Sequence, residues 1–542
     1  MTTPSDPLPI DLILTNGTIR TMDEAVPTAR AVAVSGERIA AVGESKAIQA
    51  LASSSTEIVD LGGQLVLPGF TDSHFHYYEW AVNKNNLDVA STASLQEMEA
   101  ALASKAKTLE PGQWLLGQGF NESDWPENRI PDRTDLDRAA PDNPVCIWRC
   151  DLHLAVANSL ALERAGITKG TEDPEDGIIA KDPAGNPTGV LRELAPNMIR
   201  AAIPELSPEQ VMDNMEAGFA FLHSLGITGI HDIRLMGGLD GAASLRAWQR
   251  IRKRNRCHIR CHVTLPGEMV DQAAALGLQT GFGDDRLRIG HVKFFADGGM
   301  GARTAWMKEK YLDGEFGIPL TPVTELERAL ATADAAGLGV MVHAIGTRAN
   351  QEVIAMFQRN EAGQRSRVAV PHRIEHVQMI EPEDLEKLAK LKHVAVSCQP
   401  NNLSLDISMI DHCVGERASQ TYRLKSILDT GVPTLFSSDA PVCNPKPVAG
   451  IFSAVNRRRM DNTPKEGWYM DEALTVDQAV RGYTISPAVA SGVGEDLGSI
   501  KQGKFADMTV LDQNIYDIDP GNIAETKAEL TVFNGEIVYR KQ

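Results

Sequence analysis

Short apolar runs rich in β-branched residues recur along the middle of the chain, each followed by a longer stretch whose apolar positions repeat with helical spacing. The runs fall at residues 226–232, 258–265, 287–297, 339–346, 372–378, 393–399 and 434–439. Runs of this length that are apolar on both faces suit parallel strands covered by helices. Helix starts lie between them. Ser207-Pro208-Glu209-Gln210 and Thr324-Glu325-Leu326-Glu327 read as capping boxes, the first with Pro at the first helical position, and Thr475-Val476-Asp477-Gln478 opens a later helix. With a further run at 69–76 the strands number eight. The pattern predicts an α/β fold, a (β/α)8 TIM-like barrel.

The two ends read differently. Residues 11–65 carry short strands broken by Gly and Asn turns, with an Asn16-Gly17 turn signal between Leu12 and Ile19. Residues 498–500, 503–512 and 530–539 repeat that texture. Neither end can stand alone, so a β-sandwich domain from residues 1–65 and 496–542 is expected, with the barrel at 66–495 between its halves. Residues 87–203 break the strand–helix beat with Pro, Asp and Gly. They are expected to form an insertion over the barrel mouth. No repeat or low-complexity tract interrupts the chain.

Bulk properties narrow the field. A chain of 542 residues that is 43% apolar can bury a large core, and a net charge of −19 argues against an electrostatic grip on nucleic acid or an anionic membrane. No apolar run approaches the ~18 residues that span a bilayer. The first ten residues carry neither a basic nor an apolar signal segment, so none is expected there. Seven cysteines without ribbon spacing read as reduced thiols. The expectation is a cytoplasmic protein with a small-molecule substrate and no nucleic-acid or membrane partner. A homodimer is the assembly expected, two-fold dimers being the commonest soluble oligomers.

Candidate chemistry gathers at strand ends. His74 and His76 lie two apart on one strand, so they face the same way, with Asp72 behind them. Lys293 interrupts an apolar strand, His343 and His376 end two others, and Asp439 ends the last. Taken singly, each has an ordinary reading: a hydrogen-bonded core histidine, a Lys293 salt bridge to Asp297 or Glu193, a turn carboxylate at Asp439. Together all six fall at the barrel face where chemistry occurs. Imidazole and carboxylate suit zinc, with manganese or iron as alternatives, as one ion or two. A lysine ammonium would repel a dication, whereas Lys293 carboxylated by carbon dioxide becomes an anionic carbamate able to bridge two ions. Asp439 then reads as the proton shuttle as well as a ligand.

The motifs Leu67-Pro68-Gly69-Phe70-Thr71-Asp72-Ser73-His74-Phe75-His76, Val292-Lys293-Phe294-Phe295-Ala296-Asp297-Gly298, Val342-His343-Ala344-Ile345-Gly346, Arg373-Ile374-Glu375-His376 and Ser437-Ser438-Asp439-Ala440-Pro441 resemble the amidohydrolase superfamily. Within it they resemble the family 3 branch of YtcJ-like proteins and N-substituted formamide deformylase. His153 to Ser159 and Thr188 to Glu193 also look like this branch. The resemblance implies a sandwich built from both termini, His74, His76, His343 and His376 as metal ligands, carboxylated Lys293 as a bridge, and Asp439 as acid/base.

For the substrate side, Trp80, Trp114, Phe120, Asn121, Trp125, His153, Glu193 and Arg303 are candidates. His153 could polarise a carbonyl, and Arg303 could anchor a carboxylate. The expected function is hydrolysis of a non-peptide carbon–nitrogen bond, an N-substituted formamide or aryl amide, by metal-activated hydroxide. A lactonase or carboxylic-ester hydrolase on the same metals is the alternative, and a catalytically inactive scaffold barrel the third reading.

Overall fold

A computed structural model of the protein describes residues 9–238, 240–363 and 367–542. Residues 1–8, which open the first expected domain, lie outside the described residues. Eight strands form one parallel sheet in chain order: β1 (Phe70–Phe75), β2 (Ile227–Asp232), β3 (Arg260–Pro266), β4 (Leu287–Phe295), β5 (Val340–Ala344), β6 (His372–His376), β7 (Val394–Cys398) and β8 (Thr434–Phe436). The edges meet. Asp439 N–H donates to the His74 carbonyl at 2.9 Å, and the Ser73 hydroxyl donates to the Phe436 carbonyl at 2.9 Å, so the sheet curls into a nearly closed barrel. Helices cover its outside, among them Pro208–Ser224, Gly241–Lys253, Val323–Ala336 and Thr347–Gly363. Their apolar faces and the strands share one core that includes Phe70, Trp248, Val340 and Phe357.

Helix starts follow local chemistry. Ser207 and Thr475 each form the expected capping box, with Gln210 and Gln478 reaching back to the cap N–H. The Thr324 box does not form. The third helix begins at Val323 behind Pro322, so Thr324 is already inside its first turn.

Both ends of the chain contribute to one six-stranded sheet. In order it runs Glu536–Arg540, Ala528–Phe533, Met508–Leu511, Leu65–Pro68, Thr18–Arg20 and Thr28–Ala29. A four-stranded sheet holds Arg38–Gly43, Ala31–Ser35, Leu12–Thr15 and Glu57–Asp60. Asn16-Gly17 therefore does not close a hairpin; Asn16, at φ 55°, passes the chain from one sheet to the other. An apolar cluster including Leu14, Val34, Val66, Met508 and Val532 joins the two sheets.

Arg260, on β3, ties the barrel to this region. Its guanidinium donates to Asp507 at 2.7 and 3.0 Å and to Asn534 at 3.0 Å, with the Phe505 ring 3.9 Å away. Gly226 precedes β2 at φ 81°, and a Cβ there would fall 2.4 Å from the Thr509 hydroxyl, so no side chain fits. Between β1 and β2 lies a separate mixed sheet. It runs Gly177–Lys181, Pro187–Glu193, Leu154–Ala157, Val145–Arg149, Leu115–Phe120 and Leu87–Asp88 around its own apolar cluster. All seven cysteines are free thiols. Among the described residues no helix is long and apolar enough to cross a membrane.

Candidate metal centre and its pocket

The strands deliver their polar ends to a single cavity of roughly 820 Å³, counting its open mouth. His74, His76, Lys293, His343, His376 and Asp439 all line it. Ligand atoms of His74, His76 and Asp439 lie within 4.8 Å of one another. Asp439 Oδ1 stands 3.4 Å from His74 Nε2 and 3.3 Å from His76 Nε2, and Asp439 Oδ2 stands 4.0 Å from His376 Nδ1. Ring centroids of His74 and His376 are 5.0 Å apart, and those of His343 and His376 are 4.3 Å apart.

Backbone geometry aims these groups. His376 has φ 72° and Asp439 φ 60°, left-handed conformations that turn each chain out of its strand just where the side chain must face inward. Asp72 fixes the first and last strands together. It accepts from the Ser438 hydroxyl at 2.5 Å, Ser438 N–H at 3.1 Å and His74 N–H at 3.3 Å. His74 is oriented from behind by Glu375, whose Oε2 lies 2.5 Å from Nδ1. Arg373 grips that carboxylate at 2.8 and 3.0 Å and reaches His231 Nδ1 at 2.7 Å. A carboxylate behind a histidine selects its tautomer and leaves Nε2 as a donor toward a metal.

Electrostatics agree. Burial, with the charge of Lys293 behind it, pushes His74 well below the ordinary imidazole range. Burial likewise depresses His343 and brings His376 to about 4. Burial favours the neutral form of each ring, and the charge of Asp439 opposes it at His74 and His376. Burial would raise Asp439, yet the imidazoles of His74, His76 and His376 hold its carboxyl below the usual range. Lys293, 2% exposed, is brought down to about 8 by burial.

Among the described residues, His74 Nε2 and Lys293 Nζ are buried without any hydrogen-bond partner. Lys293 forms neither ordinary ion pair. Asp297 instead accepts N–H groups of Ile345, Gly346 and Trp306 at 3.0, 2.8 and 2.8 Å, and Glu193 holds His153. Buried polar atoms left unmatched are costly. A divalent cation would satisfy His74, and imidazole with carboxylate is a donor set such ions take. His74, His76 and Asp439 thus bring ligand atoms together as a metal requires, while His343, whose Nε2 lies 3.3 Å from the Gly298 carbonyl, and His376 line the same cavity.

The substrate-side candidates separate. His153 lines the cavity, its ring 5.3 Å from that of His343. Burial opposes its proton, but Glu193, 2.7 Å from Nδ1, raises it to about 9, so it is an imidazolium. Glu193 stays behind His153 and also accepts from the Thr304 hydroxyl. Trp80 and Asn121 line a neighbouring depression that shares Cys150, Leu405 and Val442 with the cavity. Trp80 stacks on Tyr77 and Phe221, with which its indole packs better than with a polar site. Trp114 packs on a cluster of the insertion sheet, Phe120 and Trp125 lie in another, and the Trp125 indole donates to the Thr92 carbonyl. Arg303 turns away to Asp313 at 2.8 Å, because the loop after β4 reverses there at φ 61°.

Sequence reasoning passed over Glu375, Arg373, Asn402 and Asp406. The first two carried a signal, opposite charges inside an apolar strand. The last two, on the helix Pro400–Val414, carried none, since only the closed barrel brings that helix to the cavity.

The fold and site define a parallel barrel whose catalytic face converges on a cation-ready cluster. The chain belongs to the amidohydrolase family, whose Amidohydro_3 profile matches residues 57–539. It is 31% identical over 494 residues to the putative amidohydrolase YtcJ of Bacillus subtilis, covering 90% of this chain and 92% of that protein. It is 28% identical to N-substituted formamide deformylase of Arthrobacter pascens, covering 98% of each. A solved structure of an uncharacterized metal-dependent hydrolase from Pyrococcus horikoshii superposes with a TM-score of 0.75 at 28% identity, covering 94% of this chain and 99% of that one.

Proposed function

We propose that the protein is a metal-dependent amidohydrolase that cleaves a non-peptide carbon–nitrogen bond of a small molecule, an N-substituted formamide or aryl amide. The observation that carries this reading is the convergence of His74, His76 and Asp439 beside two buried atoms, His74 Nε2 and Lys293 Nζ, that have no hydrogen-bond partner among the described residues. The relatives named as an amidohydrolase and a formamide deformylase support the same direction. Zinc is the ion expected, as one ion or two. When bound, a divalent cation polarises the substrate carbonyl and lowers the pKa of water.

The chain supplies the rest. Asp439, held ionised by three imidazoles, accepts the proton of the attacking water at a carboxylate oxygen and returns it to the leaving nitrogen. His153 donates its second ring N–H to a substrate oxygen, with Glu193 fixing the ring. Glu375 and Arg373 keep His74 oriented. Lys293 Nζ adds to carbon dioxide with loss of one proton, giving an anionic carbamate that removes the burden of a buried ammonium.

The test is metal analysis of the purified protein combined with hydrolysis assays before and after chelation, on matched panels of amides and lactones. Stoichiometric metal with chelator-sensitive amide turnover is expected. Lactone turnover without amide turnover would move the assignment to the alternative chemistry, and full amide turnover after complete metal removal would reject the proposal.

A further inference from the structure

One wall of the cavity offers an acceptor oxygen, that of the Asn402 amide, to which no described residue donates. Asn402 and Asp406 are four residues apart on the helix Pro400–Val414, so they share a face about one turn apart along its axis, and both line the cavity. Asn402 is 8% exposed. Its Nδ2 donates to Asp439 Oδ2 at 3.4 Å, which leaves its amide oxygen facing away from that carboxylate. That oxygen is buried and has no hydrogen-bond partner among the described residues. Asp439 can only accept, so the amide orientation is set by its neighbour.

Asp406 is held from behind. The Tyr422 hydroxyl at 2.5 Å and Gln378 Nε2 at 3.0 Å both donate to Oδ2, so the second oxygen remains available to the cavity. The surrounding charges do not neutralise it. Arg149, at the cavity edge, is already engaged by Glu122 at 2.9 Å and Asp151 at 2.6 Å. His153 is paired with Glu193. Beside Arg149 this wall presents the carboxyls of Asp151 and Asp406; burial raises Asp406 to about 6, so it is ionised at pH 7 and above. Leu152, Met300, Leu405 and Met409 supply apolar surface beside it.

We propose that Asn402 and Asp406 form an acceptor subsite that selects substrates bearing a cationic N–H group, such as an alkylammonium or guanidinium, reached along the helix wall that starts beside Asp439. The inference rests on the hydrolase reading for its consequences in turnover, though not for binding. The neutral Asn402 oxygen takes one N–H, and Asp406 takes the charge. A substrate ending in a carboxylate meets like charge at the same place and is rejected.

Two measurements test this on the metal-loaded full-length protein. The first titrates hexylammonium and hexanoate by calorimetry, with no hydrolysis required. Hexylammonium is expected to bind about tenfold or more tightly than hexanoate in the wild type, and to lose that advantage in Asp406→Asn. Equal binding, or tighter hexanoate, overturns the subsite even if amides are cleaved. The second compares kcat/KM for amides of one chain length ending in ammonium, methyl or carboxylate. The ammonium compound is expected to lead, with the preference carried by KM and reduced in Asp406→Asn. If that variant does not fold, the wild-type ranking alone decides: a methyl or carboxylate preference refutes the proposal. Hexylammonium binding without any amide hydrolysis would keep the subsite and reject the reaction.

Discussion

Asp439 and Lys293 are the residues whose roles are easiest to separate by substitution. Asp439→Asn keeps the size of the side chain but removes the proton acceptor. It is expected to lower kcat by about 10²–10⁴ while the fold, followed by circular dichroism, is retained. Near-normal kcat would exclude Asp439 as the shuttle. Lys293→Ala is expected to abolish turnover, with partial recovery on adding acetate or propionate in place of the carbamate; full activity without additives would count against the bridge. The convergence of these groups was readable in the order of residues because His74 and His76 obey the two-residue period of a strand, and because a lysine amid Val292, Phe294 and Phe295 has no ordinary reason to be there. Glu375 was not readable as a partner of His74. It neighbours His376, and alternation would send the two to opposite faces; the left-handed turn at His376 defeats that rule. Arg303 failed for a related reason, a loop reversal that spacing does not record.

Among the elements, the loop after β5 depends on one buried carboxylate. Asp297 gathers three N–H groups, from Ile345, Gly346 and Trp306, and burial raises it to about 7 against the lowering effect of those bonds. Asp297→Ala would leave three donors unmatched at about 1–3 kcal/mol each. A loss of several kcal/mol in urea unfolding is expected, and a change under 1 kcal/mol would contradict this role. Barrel strands such as Ile227–Asp232, Val340–Ala344 and Val394–Cys398 were legible as β-branched runs buried along their length, whereas Phe70–Phe75 and His372–His376 were marked by their histidines. The strands of the 87–193 sheet were not, since they are edge-rich, mixed in direction and broken by Pro and Gly, so no single period marks them.

At the scale of the molecule, stability is tied to histidines buried without charge. Burial lowers His223 to about 4 and His262 to about 3 from an ordinary value near 6.5. Below 6.5 the unfolded chain binds protons that the folded one refuses, so their contribution is present above that pH and is lost as the pH falls toward 3. The urea midpoint is expected to fall from pH 6.5 to 4, less steeply in His223→Gln; an unchanged slope would remove His223 from the account. Asp507→Ala tests the tie between barrel and terminal sheet. It takes the two-oxygen partner from the buried Arg260 guanidinium, which keeps Asp285 at 3.2 Å and Asn534 at 3.0 Å, and is expected to cost about 1.5–3 kcal/mol, read by the same unfolding assay.

The strand Leu65–Pro68 leads straight into β1, and its neighbours are Thr18–Arg20 on one side and Met508–Leu511 on the other, with Gly69 N–H bonded to the Asp507 carbonyl at 2.9 Å. During synthesis one flank of that segment stays bare until almost the whole polypeptide has left the ribosome. A product cut short before Met508 would therefore hold every barrel strand yet leave the stem of the two-histidine strand unclamped. Loss of ion retention, ahead of any gross unfolding, is the defect such a fragment should show.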